Sequence, residues 1–277
     1  MKGGATIVSI SVLFPVHKSH EYLEEALQSI CRQSFQDWDL LFLDNSDQGI
    51  AEKVWNLDQR IRYVRLNSEF GLAESLNAGI SLSNSKYLAR MDFDDISLPD
   101  RLKTQFAFLE ANPQIDVLGT CIRFIGNQIN PKEQLNIEIC RPVKHSELES
   151  FLLLKNPFFH PTVMFRRESI IKHQLFYDSR FNSAEDLELW TRCAKKVKFG
   201  NINEVHLLYR THQNQYSRLD GERSRYLAHK ILLKYSVLQF TNSDIAKAPI
   251  LKAVKHHIFG VLRNIRGSRA RKFEKFN

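Results

Sequence analysis

Cysteine is scarce and poorly placed for either of its common structural roles. Cys31, Cys121, Cys140 and Cys193 are widely separated and form no CxxC pair. That spacing excludes the usual zinc sites and offers no disulfide framework, so reduced thiols in a cytoplasmic compartment are expected. Glycine and proline are also sparse, 11 and 8 among 277 residues. They are scattered, which leaves no low-complexity linker, and no internal repeat is visible. No run of about 18 apolar residues occurs, so no transmembrane helix is expected. The apolar run from Thr6 to Phe14 is too short to span a bilayer and lacks the cleavage site of a secretory leader.

What is present is an ordinary globular composition, 43% hydrophobic and 25% charged, enough for one large α/β domain or two small ones. The net charge of +8 is unevenly spread. Between Ile250 and Asn277 stand Lys252, Lys255, Arg263, Arg266, Arg269, Arg271, Lys272 and Lys275 against the single acid Glu274. The rest of the chain is close to neutral, so contact with a polyanion is expected at the C-terminal end.

The first hundred residues alternate between two patterns. Strand-like apolar runs at Ile7–Phe14, Asp39–Leu43, Ile61–Leu66 and Lys86–Met91 are interleaved with helical stripes at Glu21–Arg32 and Gly71–Leu82. Pro99 opens a further helix reaching Glu110. This alternation predicts an α/β fold, a mostly parallel sheet flanked by helices. In such sheets ligands bind beyond the carboxyl ends of the strands. Three polar clusters fall there: Pro15–Lys18, Asp44–Asp47 and Asp92–Asp95. Downstream, Asp116–Ile129 reads as one or two strands, Ser146–Leu154 as a helix and Thr162–Phe165 as a short strand. Ala184–Lys195, Gly221–Tyr235 and Ile250–Ile265 read as helices.

Three carboxylates in four residues, at Asp92, Asp94 and Asp95, repel one another unless a counter-charge is supplied. A hard divalent cation such as Mg²⁺ or Mn²⁺, which favours oxygen ligands, would supply it. The alternative is a solvated acidic turn with Asp95 capping the next helix. Five stretches now occur in order: SVLFPVH at Ser11–His17, LFLDNSD at Leu41–Asp47, GLAESLNAGI at Gly71–Ile80, YLARMDFDD at Tyr87–Asp95 and AEDLELW at Ala184–Trp190. Together they resemble the family 2 glycosyltransferases with the GT-A fold, of the bacterial surface-polysaccharide type.

The resemblance implies a Rossmann-like GT-A catalytic domain over residues 1–217, with a nucleotide-sugar half (about 1–115) and an acceptor half (about 116–217). A helical basic extension would follow at 218–277. It implies an inverting enzyme that moves a sugar from a nucleotide-sugar, a UDP-sugar for preference, to a saccharide or lipid-linked acceptor in O-antigen, capsule or lipooligosaccharide synthesis. Pro15, Val16 and His17 would line the base, and Asp44 or Asn45 would hydrogen-bond it. His17 and Asn45 depart from the tyrosine and second aspartate common there. Asp92 and Asp94, as a DxD motif, would hold Mn²⁺ or Mg²⁺ on the donor diphosphate. Arg90 would either touch phosphate or form an internal salt bridge with one of these aspartates.

Asp186 would be the catalytic base and Glu185 an acceptor contact, although both also suit the positive end of a helix dipole, with Ser183 as a cap. Glu188 is expected at the surface and Trp190 in the core. His160, held extended by Pro161, would line the acceptor side. Arg210 and His212 would reach the diphosphate or metal, or simply pack a loop. The Ile250–Ile265 stripe of Leu251, Val254, Ile258, Val261, Leu262 and Ile265 suits an interfacial helix on an anionic membrane. The protein would then sit peripherally on the inner face of the cytoplasmic membrane. The other reading of that stripe packs it on the catalytic domain. A nucleotidyltransferase is disfavoured by the lack of a glycine-rich loop after the first strand. No nucleic-acid partner is expected, because the basic tail offers only Phe259, Phe273 and Phe276 for stacking.

Overall fold

The computed structural model describes residues 8–18, 21–50, 57–126, 135–213, 221–242 and 249–261. Four strands, β1 (Ile10–Val16), β2 (Trp38–Asp44), β3 (Ile61–Arg65) and β4 (Tyr87–Arg90), pair in parallel in the order β3-β2-β1-β4. β1 is apolar apart from Ser11 and buried along its whole length, because it is covered on both sides. Its Ile10, Val12 and Phe14 face one hydrophobic cluster with Leu23, Ala26, Leu27 and Ile30 of α1 (Leu23–Cys31), while Leu13 faces a second. That second cluster includes Leu76 and Ile80 of α2 (Leu72–Leu82). Gly79 lets α2 lie directly on the sheet, since a Cβ there would stand 2.8 Å from Leu43 and 2.9 Å from Leu13.

Beyond β4 the sheet is mixed. β5 (Ile96–Ser97), β6 (Val117–Gly126), β7 (Glu138–Ile139), β8 (Met164–Arg166) and β9 (Phe199–Thr211) extend it in the order β4-β8-β6-β9-β5, with β7 on β6. β8 is antiparallel to both β4 and β6, whereas β6 and β9 are parallel. The mostly parallel expectation therefore describes the first four strands, whereas four of the five remaining pairings are antiparallel. Residue patterning marks a strand but not its direction, which tertiary pairing decides. β9 escapes the pattern altogether, because Asn201, Asn203, Glu204 and His206 interrupt its apolar residues.

Six shorter helices and two long C-terminal ones cover the sheet among the described residues: α1, α2, α3 (Arg101–Ala111), α4 (His145–Leu152), α5 (Arg167–Lys172), α6 (Glu185–Cys193), α7 (Gly221–Asn242) and α8 (249–261). The C-terminal pair shares the catalytic core: Ile231, Leu232, Tyr235, Ile250 and Ala253 join Leu148, Leu152 and Trp190 in one cluster. The apolar stripe expected on the last helix is divided. Ile250, Ala253, His257 and Gly260 form its buried line, while Leu251, Ile258 and Phe259 are 55%, 43% and 63% exposed. Leu262, Ile265 and the bases from Arg263 onward lie outside the described residues. Among the described residues no helix is long and apolar enough to cross a membrane.

Two expectations from the sequence fail here. Cys121 and Cys140 form a disulfide, with Cα atoms 4.4 Å apart, so these thiols are not free. The antiparallel pairing of Ile122 with Ile139 places the two cysteines opposite one another, at the close spacing of a non-hydrogen-bonded pair. A separation of 19 residues gave no sign of that pairing. Cys31 and Cys193 are free. Ser183 does not cap α6: the N-cap is Ala184, without a side-chain bond, and Ser183 takes a left-handed φ of 76°. Its carbonyl accepts instead from the Ser224 hydroxyl of α7 at 2.8 Å.

Candidate active site

The carboxyl ends of β1, β2 and β4 lie side by side. β1 register pairs Val16 with Asp44 and Leu13 with Arg90, so all three polar clusters share one edge. Val16 is fully buried among Phe14 and Phe42, and Pro15 is buried beside it. Of the three residues expected to line a base, only His17 is exposed, and its ring meets that of Phe93 edge-on at 5.3 Å. This contact joins the end of β1 to the acidic loop.

Asp44 is wholly buried, and its carboxylate is occupied by its own loop and by Tyr63 and Arg65 of β3. Oδ1 accepts from the Ser46 amide and hydroxyl at 2.9 and 2.6 Å, and Oδ2 from the Ile50 amide at 2.8 Å and the Tyr63 hydroxyl at 2.5 Å. Four such bonds fill the capacity of a carboxylate. Burial alone would raise its pKa, but the bonds from Ser46 and Tyr63 outweigh it and hold the group below the usual carboxylate range. Asn45 donates to the Phe70 carbonyl at 2.5 Å. The pair therefore fixes the loop after β2.

The acidic loop begins where β4 runs out. Oxygens of Asp92, Asp94 and Asp95 all lie within 4.8 Å of one another. Arg90, 3% exposed, is ion-paired with Asp92, the salt-bridge arrangement of the two that the sequence left open. Arg101, buried behind it, donates to the Arg90 carbonyl at 2.6 Å. From the far side of the sheet β9 closes the loop. The Arg210 amide donates to Asp95 Oδ1 at 2.8 Å, its Nε to the Asp94 carbonyl at 2.8 Å, and its guanidinium lies 4.1 Å over the Tyr22 ring. His212 Nε2 is 2.8 Å from Asp94 Oδ2. Asp95 does not cap α3, whose N-cap is Asp100.

Burial raises the pKa of Asp95 well above its ordinary value, with the Asp94 and Asp92 charges adding to it. Asp92 is raised by burial too, with Arg90 opposing and Asp94 adding. Asp95 Oδ2 is buried without a hydrogen-bond partner among the described residues. An all-oxygen cluster with crowded negative charge and an orphaned oxygen fits Mg²⁺ or Mn²⁺ and is unsuited to a thiophilic metal.

The opposite wall is the start of α6. Asp186 accepts from the Leu187 amide through Oδ1 and from Asn156 Nδ2 through Oδ2, both at 2.6 Å. Burial nevertheless raises its pKa. Glu185, 6% exposed, is pushed up to about 7 by burial and by Asp186. His160, on a 3₁₀ turn with Pro161, lies 2.8 Å from the Tyr177 hydroxyl. Burial holds it well below the usual imidazole range, so the ring is neutral. The positive charge of Arg90 links the two walls: it opposes the upward shifts of Asp92, Asp95, Glu185 and Asp186 and adds to that of His160 downward. Asp186 and Asp92 are close enough that the charge of Asp186 raises Asp92 further.

Residues 11–175 match the model of the family described as Glycosyl transferase family 2. This chain belongs to that family. It is 32% identical over 243 residues to the O-antigen biosynthesis glycosyltransferase WbnJ of Escherichia coli, covering 83% of this chain and 88% of that one. Among solved structures, that of S. aureus TarS 1-349 in complex with UDP-GlcNAc superposes with a TM-score of 0.67 at 16% identity, covering 90% of this chain and 71% of that one. Against another TarS crystal structure the chain spans 43% of the partner's length. The mannosyltransferase PcManGT from Pyrobaculum calidifontis, in complex with GDP-Man and Mn²⁺, gives a TM-score of 0.61 at 15% identity over 96% of this chain and 75% of that one. The fold is GT-A, and the chain is a family 2 glycosyltransferase.

Sequence reasoning missed several residues of this family 2 site. Asn156 and Tyr177, which hold Asp186 and His160, carry no motif, and Tyr22 lies on a different element from the Arg210 it stacks with. Glu188, expected at the surface, is 9% exposed and ion-paired with Arg192 at 2.7 Å. One helical turn separates the two, an i,i+4 spacing that signals such a pair. Trp190 is fully buried, edge-on to Phe158 and stacked on Phe165.

Proposed function

We propose that this enzyme transfers a sugar, with inversion, from a UDP-sugar to a hydroxyl of a saccharide or lipid-linked acceptor in surface-polysaccharide synthesis. The observation that carries this reading is the acidic cluster of Asp92, Asp94 and Asp95, ion-paired to the buried Arg90 and near enough to Asp186 to feel its charge. The acceptor oxygen forms a bond to the anomeric carbon as the bond to the UDP oxygen breaks, and the acceptor proton passes to Asp186. A raised pKa suits a carboxylate that must take a proton. Asn156 fixes its orientation, and Glu185 and His160 line the acceptor side. Asp92 and Asp94 would hold Mn²⁺ or Mg²⁺, with Asp95 beside them. That ion supplies positive charge to the departing diphosphate. Asp44 and Asn45 shape the loop that borders the nucleoside, and His17 presents its ring there. A GDP-Man and Mn²⁺ complex in one structural neighbour and UDP-GlcNAc in another support the donor class and the metal.

Attachment to an anionic membrane belongs to the same reading. On α8, Leu251, Lys252, Lys255, Ile258 and Phe259 are exposed on one face, opposite the buried line. Apolar and basic residues so mixed suit insertion at the headgroup level. The decisive experiment is incubation of the purified protein with Mn²⁺ or Mg²⁺ and a panel of UDP- and GDP-sugars. Metal-dependent release of UDP from one UDP-sugar, with inversion in the product, is expected. Turnover of GDP-sugars alone would overturn the donor assignment.

A further inference from the structure

α7 and α8 cross with three histidines at their contact. His229 from α7 and His256 and His257 from α8 each offer a ring nitrogen, and these atoms all lie within 4.8 Å of one another. The three rings are mutually close, with centroids 5.1 to 5.6 Å apart. The function above uses none of them.

The protonation pattern is set by the backbone. His257 Nε2 is 2.7 Å from the Leu153 carbonyl oxygen, which only accepts, so Nε2 carries the hydrogen. Its Nδ1 therefore presents a lone pair, which accepts from Nδ1–H of His229 at 3.0 Å in the metal-free protein; in its other tautomer His229 turns a second lone pair to the same point. An imidazole whose far nitrogen is anchored on a carbonyl is the arrangement that orients histidine ligands on metals. Two nitrogens bound to one tetrahedral ion at about 2.0–2.1 Å stand roughly 3.3 Å apart, close to the separation seen.

The backbone is also shaped for these rings. A Cβ on Gly260 would fall 2.5 Å from three atoms of the His229 ring, so the absence of a side chain there creates the seat of that imidazole. His257 is fully buried, His229 half-buried and His256 exposed, which gives a site closed on the protein side and open to solvent on the other.

We propose that His229, His256 and His257 form a second metal site, for a borderline divalent transition ion of the Zn²⁺ class. Three imidazole nitrogens suit Zn²⁺, Ni²⁺ or Co²⁺ and discriminate against the Mg²⁺ or Mn²⁺ favoured by the aspartates. Solvent would complete the coordination. Such an ion clips α8 to α7 and, through the Leu153 contact, to the catalytic core.

The test is titration of tag-free, metal-stripped protein with Zn²⁺ and, separately, Co²⁺. Heat of binding, the visible Co²⁺ spectrum and the melting temperature are the readouts. One high-affinity equivalent is expected, with tetrahedral Co²⁺ bands, and a rise in melting temperature of about 5–10 °C at 100-fold excess over Kd. His256→Gln, on the exposed side, and His229→Gln should each abolish all three signals. Asp94→Asn, which removes only the aspartate site, should keep them. A wild-type protein that binds neither ion, or a His256→Gln variant that binds as tightly as wild type, would overturn the assignment.

Discussion

Asn156 donates a 2.6 Å hydrogen bond to Asp186, and this bond opposes the burial that raises the Asp186 pKa. Removing it should raise that pKa further. Asp186 accepts a proton only when ionised, so Asn156→Ala should move the acid limb of the kcat–pH profile to higher pH. Donor KM should stay unchanged. Asp186→Asn, which deletes the base, should lower kcat by about 10²–10⁴-fold on the plateau above the acid limb and less below it. A donor affinity that collapses with the rate would instead make Asp186 structural.

Asp94 touches His212 and shares the acidic cluster with Asp92 and Asp95. Asp94→Asn should nearly abolish transfer and remove the Mn²⁺ dependence of UDP binding, read by calorimetry with and without the ion. Wild-type turnover in this variant would eliminate the metal assignment.

Glu185, pushed up to about 7 from 4.5 in the folded protein, gives a signed pH effect. Between those values the unfolded chain loses the proton that the native protein keeps, so stability falls as pH rises and the full penalty stands above about 7. Glu185→Gln should therefore raise the melting temperature above neutrality and flatten its fall between pH 5 and 8. Thermal melts across that range check it, and a parallel downward displacement would refute it.

Asp44 has the opposite sign. Its depressed pKa means that its contribution is present above roughly pH 4 and is lost as pH falls through the native value. Asp44→Ala leaves the Ser46 and Ile50 amides and the Tyr63 hydroxyl without their acceptor. A cost of about 3 kcal/mol follows, or about 6–12 °C in melting temperature at pH 7. Unchanged melting would mean that water replaces the carboxylate.

Leu251 and Phe259 are exposed and carry no core contact in the hydrophobic clusters. Replacing both by serine should leave circular dichroism and activity on a soluble acceptor intact. Co-sedimentation with anionic liposomes should drop several-fold. Equal sedimentation would locate the membrane contact elsewhere.

The parallel half of the sheet was legible because its central strands β1 and β2, buried on both faces, read as largely apolar runs, and α1 and α2 as clean helical stripes. The acidic loop was legible because three carboxylates in four residues demand compensation. Asn156, Tyr177 and the Cys121–Cys140 pair were not. Each matters through a partner brought near by tertiary pairing, and nothing local marks it. Arg90 was half legible: its neighbourhood to aspartates followed from position, but its place between two walls depends on β8, which the sequence did not orient.

The closure of the acidic loop by β9 has a consequence for the order in which the enzyme is made. Arg210 lies 115 residues downstream of Asp95, and His212 lies 118 downstream of Asp94. On the ribosome, the aspartates emerge and their strands pair long before either base is available. A chain that stops before residue 210 would carry the three carboxylates without the Arg210 and His212 contacts that close their loop. The acidic loop is thus a local motif whose closure is a long-range property, completed only when the end of β9 is in place.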